Sequence, residues 1–293
     1  MFVATLLCNP AAPCLDAPLV EALCGAWSGT APRWLAPGIA ADFDVLTRPD
    51  TFWQVWADLQ PRGVDLCLQV AEGRRKQMLL ADMDSTMIGQ ECIDELADMA
   101  GVGPYVAAIT ARAMNGELDF EAALRERVGL LKGLPVGIIA QVLAERITYT
   151  PGGRELIATM QAHGGHAALV SGGFTAFTKA VAAHLGFNEH RANTLLVADG
   201  VLTGEVAEPI LGRQAKIDAL EQITARLGIT PAQVIAVGDG ANDLGMLGRA
   251  GAGVALHAKP AVAAQCDLRI NHGDLTALLY LQGYSQSEFV GVA

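Results

Sequence analysis

The chain has 293 residues, 52% hydrophobic and 17% charged, which is enough apolar material for one large core or two smaller ones and rules out a disordered chain. A formal charge of -11 and a pI near 4.9 exclude the broad positive surface that nucleic acid or an anionic membrane would need. No run of about 18 apolar residues is present, so no membrane span is expected. Met1–Pro10 lacks the basic start of a secretory leader, and the cysteines, Cys8, Cys14, Cys24, Cys67, Cys92 and Cys266, form no CxxC pair. They read as reduced thiols of a cytoplasmic protein.

Phe2–Cys8 is apolar and reads as a strand, followed by a helix over Pro18–Trp27 with Pro18 in its first turn. Phe43–Leu46 reads as a strand. Thr51–Leu59 reads as a helix capped by Thr51 or Asp50, with Phe52, Val55, Trp56 and Leu59 at helical spacing. Val64–Val70 alternates as a strand. This βαβαβ order predicts a small α/β sandwich over residues 1–75. All four tryptophans fall there, and the Trp53/Trp56 pair is expected in a core or an interface. Glu72–Lys76 is a polar break.

Beyond the break, residues 76–293 alternate between strand and helix. Gln77–Ala81 runs into Asp82, Ala167–Val170 into Ser171, and Val234–Val237 into Gly238-Asp239. Helical patterns such as Gly153–Ala162 and Phe174–Leu185 separate them. The alternation predicts a doubly wound parallel sheet, with its polar strand ends gathered at one carboxyl edge. From Ile88 to Tyr149 the chain reads mostly helical, with segments Glu91–Met99, Pro104–Met114, Asp119–Leu131 and Pro135–Ala144. That is too long for a βα connection and reads as a helical cap over the site, about 88–149, that excludes water and selects the ligand. The chemistry is expected to survive loss of everything before about Arg74.

The strongest chemical signal is Asp82-Met83-Asp84-Ser85-Thr86, directly after a buried strand. Two carboxylates two positions apart beyond a strand end can face one ligand. One can attack phosphorus while the other handles the proton of the leaving group. Alone, the motif could be a turn with a helix N-cap. Gly238-Asp239-Gly240-Ala241-Asn242-Asp243 follows another strand, where Asp239 would supply the hard oxygen that magnesium requires near Asp82. Ser171-Gly172-Gly173 would cradle a phosphate with a hydroxyl and backbone N–H groups. Lys216, in the amphipathic segment Lys216–Leu227, would be a surface lysine alone; with these motifs it reads as a phosphate partner.

Asp82–Thr86, Ser171, Lys216 and Gly238–Asp243 resemble the four motifs of the haloacid dehalogenase-like superfamily. Within it, the chain closely resembles the phosphoserine phosphatase family from roughly Lys76 onward. The likeness is carried by Asp-Met-Asp-Ser-Thr-Met-Ile at Asp82, by Glu91, by Asp119–Val128, by Val170–Phe174 and by Ala258-Lys259-Pro260. The resemblance implies Mg²⁺-dependent hydrolysis of O-phospho-L-serine through an aspartyl-phosphate, the last step of serine biosynthesis. It implies that Asp82 is the nucleophile and Asp84 the general acid, then base. Mg²⁺ would be held by the Asp82 carboxylate, the Asp84 backbone carbonyl and Asp239. Ser171, Gly172 and Lys216 would hold the phosphoryl oxygens, Asn242 would contact substrate or phosphate, and Asp243 would orient Lys216 or the metal waters. Glu91 and Arg127 would read the substrate's ammonium and carboxylate, a pairing that suits a guanidinium fork.

The first 75 residues resemble ACT-like regulatory domains, although Asn9-Pro10-Ala11-Ala12-Pro13 stands where many ligand-binding versions carry Asp-x-Pro-Gly. A structural or dimerising role is therefore at least as well supported as amino-acid sensing, and a homodimer stays open. The partner expected is a small phosphorylated molecule, with no nucleic acid and no membrane. Two other readings remain: a phosphatase or phosphotransferase for another small phosphate ester, and a signalling receiver that holds phosphate on an aspartate. Receivers are much shorter and lack both the cap and the second aspartate of Asp82–Asp84. The histidines, His163, His166, His184, His190, His257 and His272, are assigned to surface or packing.

Overall fold

The computed structural model describes residues 1–114 and 117–291. The N-terminal part runs β1 (Phe2–Cys8), α1 (Ala17–Ala26), β2 (Arg33–Ala36), β3 (Ala40–Val45), α2 (Phe52–Leu59) and β4 (Val64–Val70). Its antiparallel sheet has the order β2-β3-β1-β4. The order of elements is thus βαββαβ, with one strand more than the expected βαβαβ. Strand β1 reads as a continuous apolar run because both its faces are covered. Ala4, Leu6 and Cys8 face the core under α1 and α2, whereas Leu7 joins the core of the rest of the chain. Asp16 caps α1 by accepting from Leu19 N at 2.8 Å.

The second part begins with β5 (Met78–Ala81). The insertion follows, with α3 (Cys92–Met99), α4 (Gly103–Met114), α5 (Phe120–Gly129) and α6 (Ile138–Glu145). Ile88 pairs antiparallel with Tyr149, so the cap hangs from a two-stranded neck. Then come α7 (Gly153–Ala162), β6 (His166–Phe174), α8 (Thr175–Leu185), β7 (Glu189–Asn193), the hairpin β8 (Leu195–Ala198) and β9 (Val201–Val206), and α9 (Arg213–Leu227). The chain closes with β10 (Val234–Gly238), α10 (Leu244–Arg249), β11 (Ala252–Leu256), α11 (Pro260–Ala263), β12 (Leu268–Ile270) and α12 (Ala277–Leu281). Six strands form one sheet in the order β12-β11-β10-β5-β6-β7, every pair parallel. Leu79 and Ala81 of β5 pack into one core while Met78 and Leu80 pack into the other, as expected of a strand covered on both faces. The chain leaves β5 toward β6 and β7, then returns to β10 on the other side. That reversal opens a crevice at the carboxyl end of β5. Strand β6 continues past Val170 to Phe174, so Ser171-Gly172-Gly173 belongs to the strand and not to a loop after it.

The two parts are joined by buried polar bonds as well as apolar packing. Asp65 of β4 is buried and accepts the backbone N–H groups of Asn271, His272 and Gly273 at 2.8, 3.0 and 2.8 Å. Gln69 donates to Leu281 O, and Leu35, Ala36, Ile39, Ala40 and Cys67 share a core with Leu275 and Leu278. The Arg269 guanidinium lies 4.1 Å from the Trp53 ring centroid and 5.3 Å from that of Trp56, so this pair sits at the junction of the two parts. A chain beginning near Arg74 would lose these contacts. Truncation would expose that apolar face and remove the acceptor for three backbone donors.

Candidate active site

The strand ends converge beyond β5. Asp82 N still bonds to Val237 O at 3.0 Å, which carries the pairing one residue past the strand. The chain then turns on Met83 O, which accepts from Met87 N and Ile88 N. Asp82 and Asp84 are both buried at this turn. Lys216, in α9, is only 2% exposed. Its Nζ lies 2.6 Å from Asp82 Oδ1 and 2.6 Å from Asp243 Oδ1. Asp243 Oδ2 in turn accepts from Asp239 N at 3.1 Å and Gly240 N at 3.0 Å. A Cβ on Gly238 would lie 2.4 Å from the Asp243 carboxyl carbon, so this brace requires glycine there.

Buried acids outnumber the nearby lysines: Lys216 is buried among them, and Lys259 also acts on Asp239. Oxygens of Asp82, Asp239 and Asp243 lie within 4.8 Å of one another. Burial pushes the Asp82 carboxyl well up, Asp243 and Asp84 push the same way, and Lys216 opposes them. Burial and Asp243 raise Asp239 to about 7. For Lys216, burial works against the charge, but Asp243 and Asp82 outweigh it and raise the ammonium. A cation fits here on the geometry. Asp239 Oδ2 is buried with no hydrogen-bond partner, whereas both Asp243 oxygens are already bonded. Asp82 and Asp239 are therefore the available carboxylate donors, and Asp243 braces Lys216 and the loop.

The Asp84 side chain points elsewhere. Its Oδ1 accepts from Cys92 N at 2.9 Å, at the start of α3, and its Oδ2 from Ser171 Oγ at 3.0 Å. Ser171 Oγ also accepts from Gly173 N at 2.8 Å. A Cβ on Gly173 would come within 2.6 Å of Asp84 Oδ2, so the bare backbone lets the two strand ends approach. Asn242 Oδ1 is buried without a partner and lines the cleft.

From the cap, Glu91 accepts from Ser85 Oγ at 2.6 Å, and burial together with Asp84 raises its carboxyl to about 8. Arg127 is 5% exposed, donating from Nε to Ala123 O and from Nη1 to Thr110 Oγ1, each at 3.0 Å. Burial lowers its pKa while Glu91 and Asp94 oppose that fall. Glu91 and Arg127 line the same cleft as Asp82, Asp84, Ser171, Gly172 and Asn242. Lys216, Asp239 and Asp243 are buried at its base. The sequence reading assigned no role to Ile93, Phe120, Leu124 and Phe174, which add apolar wall. Phe120 and Phe174 stood within the segments that carry the resemblance. Leu124 lies in the same Asp119–Val128 segment as Phe120, whereas nothing in the sequence singled out Ile93, which looks like an ordinary core position of a helix.

The model of the haloacid dehalogenase-like hydrolases matches residues 79–248, more than half of the chain. A phosphoserine phosphatase of Haemophilus influenzae is 48% identical over 204 residues, covering 70% of this chain and 65% of that protein. The chain spans 65, 55 and 52% of the first curated relatives it matches, so those proteins extend beyond the matched region. A substrate-bound phosphoserine phosphatase structure is 41% identical, covers 70% of this chain and 98% of that one, and superposes with a TM-score of 0.67. A haloacid dehalogenase family hydrolase from Salmonella enterica covers 96% of this chain and 97% of its own, with 30% identity and a TM-score of 0.84. Its match therefore takes in the N-terminal sheet as well. The family model spans both acidic turns, Ser171 and Lys216, and the same architecture recurs in these structures; the chain belongs to the haloacid dehalogenase-like hydrolases and, within them, groups with the phosphoserine phosphatases.

Proposed function

We propose that the chain hydrolyses O-phospho-L-serine to serine and phosphate through a phosphorylated Asp82, in the cytoplasm and as the last step of serine synthesis. The observation that carries this reading is one cleft lined by a carboxylate pair, Asp82 and Asp84, and by an acid and a guanidinium from the cap, Glu91 and Arg127. The pair suits transfer of a phosphoryl group, and the cap groups suit the two charges of an amino acid.

In the first step an Asp82 oxygen bonds to phosphorus as the bond from phosphorus to the serine oxygen breaks, and Asp84 gives its proton to that oxygen. In the second, water attacks phosphorus, Asp84 takes the water's proton, and the bond to Asp82 breaks. Lys216 and the backbone around Ser171 and Gly172 offset charge on the phosphoryl oxygens, and Asp243 keeps Lys216 in place. Asp82, Asp239 and the Asp84 backbone carbonyl would hold Mg²⁺, which supplies charge neutralisation when bound. Arg127 pairs with the carboxylate and Glu91 with the ammonium, which orients the ester. The apolar walls exclude water.

Phosphate release from L-phosphoserine, measured with and without Mg²⁺ beside a panel of other phosphate esters, tests the proposal. A preferred substrate lacking an α-amino acid would replace phosphoserine in this reading. Phosphate held on an aspartate without turnover would favour a receiver.

A further inference from the structure

We infer that Thr110, held in turn by Asp94, positions Arg127 for the carboxylate of the substrate, an inference that rests on the phosphoserine reading. Three cap helices meet at this point. Arg127 of α5 donates from Nη1 to Thr110 Oγ1 of α4 at 3.0 Å, and Thr110 Oγ1 donates to Asp94 Oδ1 of α3 at 2.6 Å. Thr110 is 3% exposed, so no water competes for its hydroxyl. That hydroxyl has one proton. Because the proton is committed to Asp94, a lone pair faces Arg127, and the polarity of the chain is fixed. Nε is held separately by Ala123 O at 3.0 Å. Two edges of the guanidinium are thus tied down while it lines the cleft.

The relay also explains why the cap carries a half-buried acid here without quenching Arg127. A carboxylate placed directly on the guanidinium would form a strong charge-assisted pair and compete with the incoming carboxylate. A hydroxyl between them orients the guanidinium without occupying it with an opposite charge. Asp94 contributes at one remove, raising the tendency of the buried Arg127 to stay protonated. Neither Thr110 nor Asp94 lines the cleft. Both are positioning residues.

The test compares L-phosphoserine with O-phosphoethanolamine, which keeps the ammonium and phosphate but lacks the carboxylate. In the full-length chain, Thr110→Val keeps the shape and removes the hydroxyl. It should raise KM for phosphoserine about five- to tenfold with a smaller change in kcat. The ratio of kcat/KM for phosphoserine over phosphoethanolamine should fall by a similar factor. Thr110→Ser should restore both. If Thr110→Val does not fold, Asp94→Asn carries the test, since it keeps the size and weakens the hold on the hydroxyl; the ratio should again fall, by less. An unchanged ratio in a folded variant, or equal losses on both esters, would overturn the inference. If the unaltered chain itself does not prefer phosphoserine over phosphoethanolamine, the carboxylate-reading role of Arg127 fails first, and the proposed function fails with it.

Discussion

The base of the cleft and its cap wall are built differently. At the base, the functional groups stand on strand ends or on a helix packed against the sheet, and backbone N–H groups hold them: Asp239 N and Gly240 N on Asp243, Cys92 N on Asp84, Gly173 N on Ser171. On the wall, Glu91 is bound by the Ser85 hydroxyl, and Arg127 by the Thr110 hydroxyl and a carbonyl within its own helix. A base fixed mostly by main-chain groups at the sheet edge, with Cys92 N of α3 as the exception, would serve any phosphate ester. A wall of side chains on an inserted bundle can change its choice of ester without disturbing the base. Mutations at the base should therefore reduce turnover of every ester, and mutations on the wall should act selectively.

The largest effect tests the base. Asp82→Asn should remove essentially all turnover of phosphoserine and of an aryl phosphate alike, because an amide is a poor nucleophile. Mass spectrometry of the trapped intermediate should place the phosphoryl group on Asp82; a label elsewhere would end the mechanism. Chelation comes next. Exhaustive removal of divalent cations should abolish activity on both esters, Mg²⁺ should restore it, and Ca²⁺, which takes more ligands at longer distance, should restore little. Full activity after chelation would refute the metal assignment at Asp82 and Asp239. Asp84→Asn stands between base and wall, since its carboxylate touches both Ser171 and the start of α3. It should slow phosphoserine by about 10²–10⁴ and an aryl phosphate, whose leaving group needs no proton, far less. Equal slowing in the phosphorylation step would remove Asp84 from acid catalysis.

This contrast governs what could be read from the sequence. Asp82, Asp84 and Asp239 were legible because each follows a buried apolar strand closely, and Ser171 because it directly follows the apolar run Ala167–Val170 within β6. Lys216 was not legible from its helix, where a lysine at such a position reads as surface; only the neighbouring strand ends explain why it is buried between Asp82 and Asp243. On the wall, Glu91 and Arg127 were found through resemblance alone. The link from Asp94 through Thr110 to Arg127 gave no signal, because it depends on how three helices cross. Among the strands, Glu189–Asn193 was missed because it is a polar edge strand with no apolar run, and Arg33–Ala36 because it is a short edge strand with a register shift beside Trp34. The hairpin around Asp199-Gly200 did carry a turn signal, which the reading overlooked.

Arg127→Ala is the first clean test of the wall. A charge-assisted hydrogen bond contributes roughly 1.5–3 kcal/mol, so kcat/KM for phosphoserine should fall by about one to two decades. An aryl phosphate without a carboxylate should lose much less. A proportional loss on both esters would show that Arg127 supports the base, and the separation between base and wall would collapse.

The smallest expected effect is at Glu91, and it comes with a pH signature. Glu91→Gln keeps the shape and an oxygen to accept from Ser85, so the cap should stay folded. What it loses is the charge that pairs with the ammonium, on the order of 1 kcal/mol, or about three- to tenfold in kcat/KM for phosphoserine. Burial, with Asp84 next in size, raises the Glu91 carboxyl to about 8 in the ligand-free chain. An arriving ammonium favours the ionised form, so binding is coupled to loss of a proton from Glu91. Affinity for phosphoserine should therefore increase as the pH rises through that value and level off above it. A cation held at Asp239, whose charge is one of the causes raising Glu91, would move the midpoint below 8. Glu91→Gln has nothing to ionise and should flatten this part of the profile of KM against pH, while an aryl phosphate should show no such limb in either protein. If the variant keeps the limb, the titrating group lies at the base, and Glu91 does not read the ammonium.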